Sequence, residues 1–311
     1  MMVVFYHFTH HTDYHGNLFP DGFWLKDLGA FGPSGVFIFF VISGFVIPLA
    51  MMENDYHPRD FFRFLWRRMV RLEPPYIATI GLLLLSGWYF SFEAGVPWDF
   101  SWRQLASHFL YLVQFTGEEW YNPIFWTLAI EFQFYIFLGL ALPLFLHPSV
   151  KVRFVCVLAL CAAGGLPLSN ALLPVYLPVF AMGIAWVLFI RKKLGAWQTL
   201  AVVTTGAIVT GMIHPISFAV ASVLAVGFIA LTSIDWRPLM FLGEISYSLY
   251  LTHGFAGGNF LYLFQYKSES SSWKWIVFIL AIIGSVIAAR IFYLVVERPA
   301  RNWSRRIKRK D

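Results

Sequence analysis

Polar side chains are sparse in this chain, so the few that interrupt its apolar runs are where chemistry must be sought. The first is His7, in MVVFYHFTHH. An imidazole takes a hydroxyl proton near neutral pH, which suits general base catalysis. Two other readings stand beside it. One is an interfacial histidine hydrogen-bonded to a neighbour. The other is a metal ligand paired with His11, four residues on. Thr9 and His10 look like loop, so no metal site is expected. The second place is a run of arginines: Arg59, Arg63, Arg67 and Arg71 recur every four residues, with Arg68 added. On a helix along the membrane surface they form a basic stripe. It serves either as an anchor to anionic lipid or as a grip for a polyphosphate such as coenzyme A, because guanidinium holds phosphate in a bidentate manner. Glu73-Pro74-Pro75 is expected to end that helix and start the next element.

The third place is WTLAIEFQFY at 126–135, where Thr127, Glu131 and Tyr135 share one helix face. A buried carboxylate needs a donor partner or a raised pKa. Glu131 therefore reads as a clamp between helices or as a catalytic or substrate-holding group. The fourth lies in the last apolar runs. Ser246, Tyr250 and His253 are spaced as one stripe on a helix, and Arg290, Tyr293 and Glu297 form another. Glu244 reads as an interfacial residue. Arg290 could snorkel, and Glu297 could pair with Arg301 four residues on.

The elements that must hold these groups are set by composition. The 311 residues are 59% hydrophobic and 13% charged, with mean hydropathy +0.65. A soluble domain carries about 25% charged residues, so this chain lacks half the charge its surface would need in water. The 33 Phe, 13 Trp and 14 Tyr suit aromatic belts at membrane interfaces. Disorder, collagen and a disulfide scaffold are excluded. Cys156 and Cys161, five apart in one apolar run, read as reduced and without metal. The net charge of +6 calls for no nucleic acid.

Apolar runs able to cross a bilayer occur at 30–52, 75–92, 124–146, 152–168, 171–190, 196–213, 215–232, 239–264 and 275–297, after a short piece at 1–8. The expected fold is all-α: a polytopic transmembrane helical bundle of about ten spans, the first truncated. It forms one domain over 1–311. With a cytoplasmic amino terminus and ten alternating spans, the inner segments hold 18 basic residues and the outer segments 4, as the positive-inside rule requires. Both termini are then cytoplasmic.

Six of these stretches, in order, resemble the acyltransferase 3 family of integral membrane acyltransferases, which includes sugar and exopolysaccharide O-acetylases. They are VFYHF at 4–8, GVFIFFVISGFVI at 35–47, RMVRLEP at 68–74, the Trp126-Thr127-Leu128 and Glu131 motif, GEISYSLYLTH at 243–253, and ERP at 297–299 with Trp303. The resemblance implies an enzyme of a bacterial inner membrane that moves an acyl group, chiefly acetyl, from cytoplasmic acyl-CoA to a hydroxyl of a sugar or glycan. Acyl-CoA is then a substrate, and no cofactor is expected. His7 would be the family's essential histidine and Arg68 and Arg71 its motif arginines. In that scheme His7 deprotonates the acceptor or is itself acylated first, and Glu131, Tyr250 and His253 position the acceptor. The family also places an arginine eleven positions before the histidine, which this sequence does not contain. The expectation is that the natural chain begins upstream of Met1 by about ten residues. The rival reading is a secondary transporter or lipid-linked sugar flippase. It would be expected to show an inverted repeat or matching broken helices, and the sequence shows neither.

Overall fold

A computed structural model of the chain describes residues 1–10, 12–13, 16–231, 236–264, 267 and 270–307. Most of them are helical. Helices α1 (Met2–Thr9), α2 (Trp24–Gly29), α3 (Ser34–Glu53), α4 (Phe61–Ala94), α5 (Trp102–Phe109), α6 (Val113–Thr116), α7 (Trp126–Phe145) and α8 (Val150–Ala163) make the first half. The second half comprises α9 (Leu177–Ile190), α10 (Ala196–Ile213), α11 (Ile216–Leu231), α12 (Arg237–Glu244), α13 (Ser246–His253), α14 (Asn259–Phe264), α15 (Ser271–Phe292) and α16 (Arg298–Arg306). π-Helical turns at Gly254–Gly258 and Tyr293–Glu297 join α13 to α14 and α15 to α16. One short antiparallel pair, Thr12–Asp13 with Gly16–Asn17, interrupts the helices.

Six helical stretches are long and apolar enough to cross a membrane: Trp24–Glu53, Pro58–Ala94, Pro123–Phe145, Leu173–Ile190, Ala196–Ile213 and Ser271–Arg306. Ile216–Leu231 is apolar but shorter. The all-α class expected from composition is therefore present, with six such helices among the described residues.

The chain forms two compact units. Residues 33–65 and 127–233 make one. There α3 packs on α9, and α9 is flanked by α8 and α10. The α3–α9 contact is backbone to backbone. A Cβ on Gly44 would stand 2.3 Å from the Phe180 carbonyl oxygen, and one on Gly183 would stand 2.2 Å from that of Val41. Small residues permit this approach where no hydrophobic effect drives helices together. Phe134 and Phe180 stack beside it at 3.9 Å.

Residues 1–32, 66–126 and 234–311 make the other unit. Its core joins Val4 and Phe8 of α1 to Leu249, Leu261, Val277 and Phe278. In this unit α4 and α13–α14 run side by side in one direction. The Tyr247 hydroxyl donates to the Leu72 carbonyl at 3.0 Å, Asn259 reaches Ser86 at 3.5 Å, and Phe90 meets Tyr262 with ring centroids 6.4 Å apart.

Two expectations about α4 are corrected. Glu73-Pro74-Pro75 does not end a helix: α4 is continuous from Phe61 to Ala94 with both prolines inside it. Nor do the arginines form a separate surface helix: Arg63, Arg67, Arg68 and Arg71 occupy its first turns, and Arg59 lies in the short turn Pro58–Asp60 before it. The two prolines withdraw two N–H donors from the preceding turn. Their loss frees the Val70 and Arg71 carbonyls, a loss that helices in a membrane tolerate where neighbours pack; the Tyr247 hydroxyl donates to the Leu72 carbonyl in the same turn.

Candidate active site

His7 and His253 lie 246 positions apart in sequence and meet in the unit that contains both termini. The Nδ1 of His7 and the Nε2 of His253 are 2.7 Å apart, and the two rings are nearly parallel. The far nitrogen of His253, Nδ1, is 2.8 Å from the Tyr250 carbonyl and 3.1 Å from that of Leu249. A carbonyl can only accept, so His253 Nδ1 carries its proton. In the neutral imidazole Nε2 is then the acceptor, and His7 Nδ1 must donate to it. The lone pair of His7 is left on Nε2. The carbonyl–His253–His7 chain therefore fixes the tautomer that a general base requires. His253 is 1% exposed, whereas His7 is half-buried, so the His253 ring is sealed and the His7 ring is reachable.

Helix α1 has only two turns, and close packing holds it. A Cβ on Gly257 would stand 2.1 Å from the tip of the Phe8 ring and 2.3 Å from Ser285 Oγ. Cβ atoms on Gly29 and Gly32 would meet Thr9 Oγ1 at 2.0 Å and Tyr6 Cβ at 2.3 Å. These glycines admit the residues on both sides of His7. Gly257 belongs to the π-turn that starts immediately after His253, and such turns gather at functional sites.

Of the remaining residues singled out in the sequence, Tyr250 donates its hydroxyl to the Ile124 carbonyl at 2.9 Å. Arg68 and Arg71 lie on α4 in this same unit, Arg71 exposed and Arg68 half-buried. Arg71 and Arg301 both act electrostatically on Glu297. Ser304 of α16 donates to the Arg67 carbonyl at 2.7 Å, which draws a second basic helix to the arginine-bearing turns of α4. Arg59 and Arg63 belong to the other unit, where Arg63 pairs with Asp60 at 3.3 Å. Glu131 is also in that unit. It is 6% exposed and accepts from Ser43 at 3.3 Å, with Thr127 and Tyr135 buried on its helix face as expected.

Glu297 differs from expectation. Its carboxylate accepts from the backbone N–H and the hydroxyl of Ser248, at 3.1 and 2.6 Å. Arg301 donates instead to the Tyr293 hydroxyl at 2.6 Å, and Glu244 accepts from Tyr293 at 2.6 Å and from Arg290 at 2.9 Å. The His7–His11 metal reading cannot be placed, because His11 lies outside the described residues.

Sequence reasoning missed a polar string running from the middle of α4 to the segment after it. Tyr111 donates to Glu73 at 2.5 Å, stacks on Tyr76 at 5.4 Å, and holds a left-handed backbone with φ 56°. That conformation is costly for a bulky side chain. The Tyr76 hydroxyl meets His108 Nδ1 at 3.0 Å, and the Tyr121 N–H donates to His108 Nε2 at 3.2 Å. Burial pushes His108 down to about 4, so it stays neutral as its acceptor role requires. Glu73 precedes Ala94 by about 30 Å of helix. The segment holding α5 and α6 therefore folds back along α4 rather than staying at its far end. The one local signal was Asn122-Pro123, a turn dipeptide whose asparagine caps Pro123–Phe125.

A family model for an acyltransferase domain matches residues 1–294. The chain belongs to the acyltransferase 3 family. It is similar to BcsY of Komagataeibacter xylinus, named as a candidate membrane-bound transacylase, with 28% identity over 91% of this chain and 79% of that one. It is 24% identical to the acyltransferase MdmB of Streptomyces mycarofaciens, over 88% of this chain and 82% of the relative. It is also 24% identical to the O-acetyltransferase OatA of Staphylococcus aureus, over 86% of this chain but 52% of the relative, so it spans about half of that protein. No solved structure matches. As a member of this family the protein is a multi-pass membrane enzyme that transfers acyl groups.

Proposed function

We propose that this enzyme moves an acetyl or similar acyl group from cytoplasmic acyl-CoA to a hydroxyl of a sugar or glycan, with His7 as general base. The observation that carries the reading is the carbonyl–His253–His7 chain, which leaves the His7 lone pair on Nε2. The acceptor gives its proton to that nitrogen and attacks the thioester. His253 acts by orienting His7. Arg68 and Arg71 bind the donor phosphates as charge-assisted partners. Glu131, a buried carboxylate that accepts from Ser43, keeps its proposed role in positioning the acceptor. Tyr250 contributes by tying the segment before α7 to α13.

Levels along α4 and α13 support the donor assignment. Tyr247 stands beside Leu72, and His253 lies six residues further along α13, about 9 Å by helical rise. A pantetheine arm is roughly four to five residues long and spans about 14–18 Å when extended. A donor gripped at Arg68 and Arg71 would thus reach the histidines with its thioester.

We place the protein in a bacterial inner membrane as a single domain over 1–311 with ten spans and both termini cytoplasmic. The support is the bias of 18 basic residues to 4 and one family model across 1–294. Purified protein in detergent should release thiol from acetyl-CoA when soluble oligosaccharides are supplied, with acetyl ester appearing on the sugar. Ester formation without thiol release would remove acyl-CoA as donor. No turnover with any hydroxyl acceptor, by folded protein, would remove the sugar reading.

A further inference from the structure

We propose that the side-chain amide of Asn122 is the oxyanion donor of this acyl transfer, an inference that rests on His7 as the base. Asn122 is 9% exposed. Its Oδ1 accepts the Ile124 N–H at 3.2 Å. A backbone N–H can only donate, so this bond settles which way the amide is turned. Nδ2 faces the other way, toward Gly254, the residue after His253. Outside its chain neighbours and its own helix backbone, a methyl built on Gly254 would meet Nδ2 at 3.4 Å and no other heavy atom within 4 Å. The segment is fixed there, because the Tyr250 hydroxyl donates to the Ile124 carbonyl at 2.9 Å.

Among the described residues, no hydrogen-bond acceptor partners Nδ2. Nδ2 is not among the sealed, unpartnered side-chain atoms, so it can be reached from outside and offered to a ligand oxygen. Other polar groups near His253 have assignments. Thr252 donates to the Ser248 carbonyl at 2.8 Å, and His253 Nδ1 donates to the Tyr250 and Leu249 carbonyls. The missing side chain at Gly254 leaves room between the amide and the helix that carries His253.

The acceptor hydroxyl passes its proton to His7 Nε2 as its oxygen bonds the thioester carbon. The carbonyl π pair moves onto the carbonyl oxygen, which receives an N–H of Asn122. On collapse that pair re-forms the carbonyl, the C–S bond breaks, and the leaving thiolate takes the proton from His7. A preset donor of this kind acts where charge develops and supports the transition state more than the bound substrate.

The test uses substitutions that keep the cap and remove the amide donor. Asn122→Asp retains an oxygen for the Ile124 N–H, and Asn122→Ser retains a shorter one. Gly254→Ala keeps Asn122 and puts a methyl where the oxyanion would sit. Thiol release from acetyl-CoA with an oligosaccharide acceptor should fall about 10²–10³-fold in kcat, with donor KM and melting temperature unchanged. A merely structural cap predicts that Asn122→Asp stays active. Wild-type kcat in any folded member of the three would overturn the proposal. His7→Gln is run beside them. If it keeps activity, the base assignment fails. If it is inactive while Asn122→Asp is active, only the oxyanion assignment fails.

Discussion

Gly257→Ala is the sharpest perturbation the packing offers, because it moves His7 without touching it. The new Cβ would stand 2.1 Å from Phe8 Cζ and 2.8 Å from Phe8 Cε2. Carbon atoms settle at about 3.5 Å or more, so the ring must retreat by about 1.4 Å. Phe8 is 1% exposed within the core of its unit, so it cannot simply swing away. It must push α1, and His7 is the preceding residue. Overpacking of this kind costs about 1–3 kcal/mol, which a folded membrane protein can absorb. Catalysis is less forgiving. A working group must be held within about 0.5 Å, and a displacement of about 1 Å costs on the order of 10²-fold in rate. The expected result is a kcat about 10²-fold lower in thiol release from acetyl-CoA, with donor KM unchanged and a slightly lower melting temperature. Adding Phe8→Leu and Ser285→Ala, which remove the ring tip and the Oγ that stands 2.3 Å from the new Cβ, should restore most of the rate. Wild-type kcat in folded Gly257→Ala would refute the reasoning that α1 is held in place through this contact.

Arg71→Ala should raise the KM for acetyl-CoA by about 10–100-fold, the loss of one charge-assisted contact of about 1.5–3 kcal/mol. Arg59→Ala, on an exposed residue of the other unit, should change it little. Equal effects in donor titrations would make the arginines a lipid anchor. His108 is depressed from 6.5 to about 4, so its neutral form is favoured in the fold. Its contribution to stability is present above pH 6.5 and lost as pH falls toward 4. Melting temperature should drop across that window, and His108→Gln should remove that component of the drop. Reporter fusions after Lys193 and Lys310 should report cytoplasm and one after Glu269 the outside; an outside signal at the carboxyl terminus would reverse the topology.

Much of the helical layout was legible, because apolar runs bounded by polar breaks are local facts. The run at 196–213 coincides with α10, and the polar stripe from Ser246 to His253 lies on α13. The candidate site was legible only as isolated points. His7 and His253 each stood out as costly residues at depth, but nothing in local spacing says that two residues 246 apart share a proton. Asn122 and His108 looked like ordinary members of a polar segment after α4. Their roles come from the return of that segment along α4, which is set by tertiary packing. Pro74-Pro75 misled for a related reason. A local rule ended the helix there, while α4 runs on through both prolines beside α13, which is remote in sequence.

The central claim is that His7 is the base and that its lone pair sits on Nε2. Purified His7→Gln protein, with the wild-type melting temperature and the wild-type affinity for acetyl-CoA, should transfer no acetyl to oligosaccharide above background in a single-turnover assay. Transfer at the wild-type rate by that protein would contradict the account.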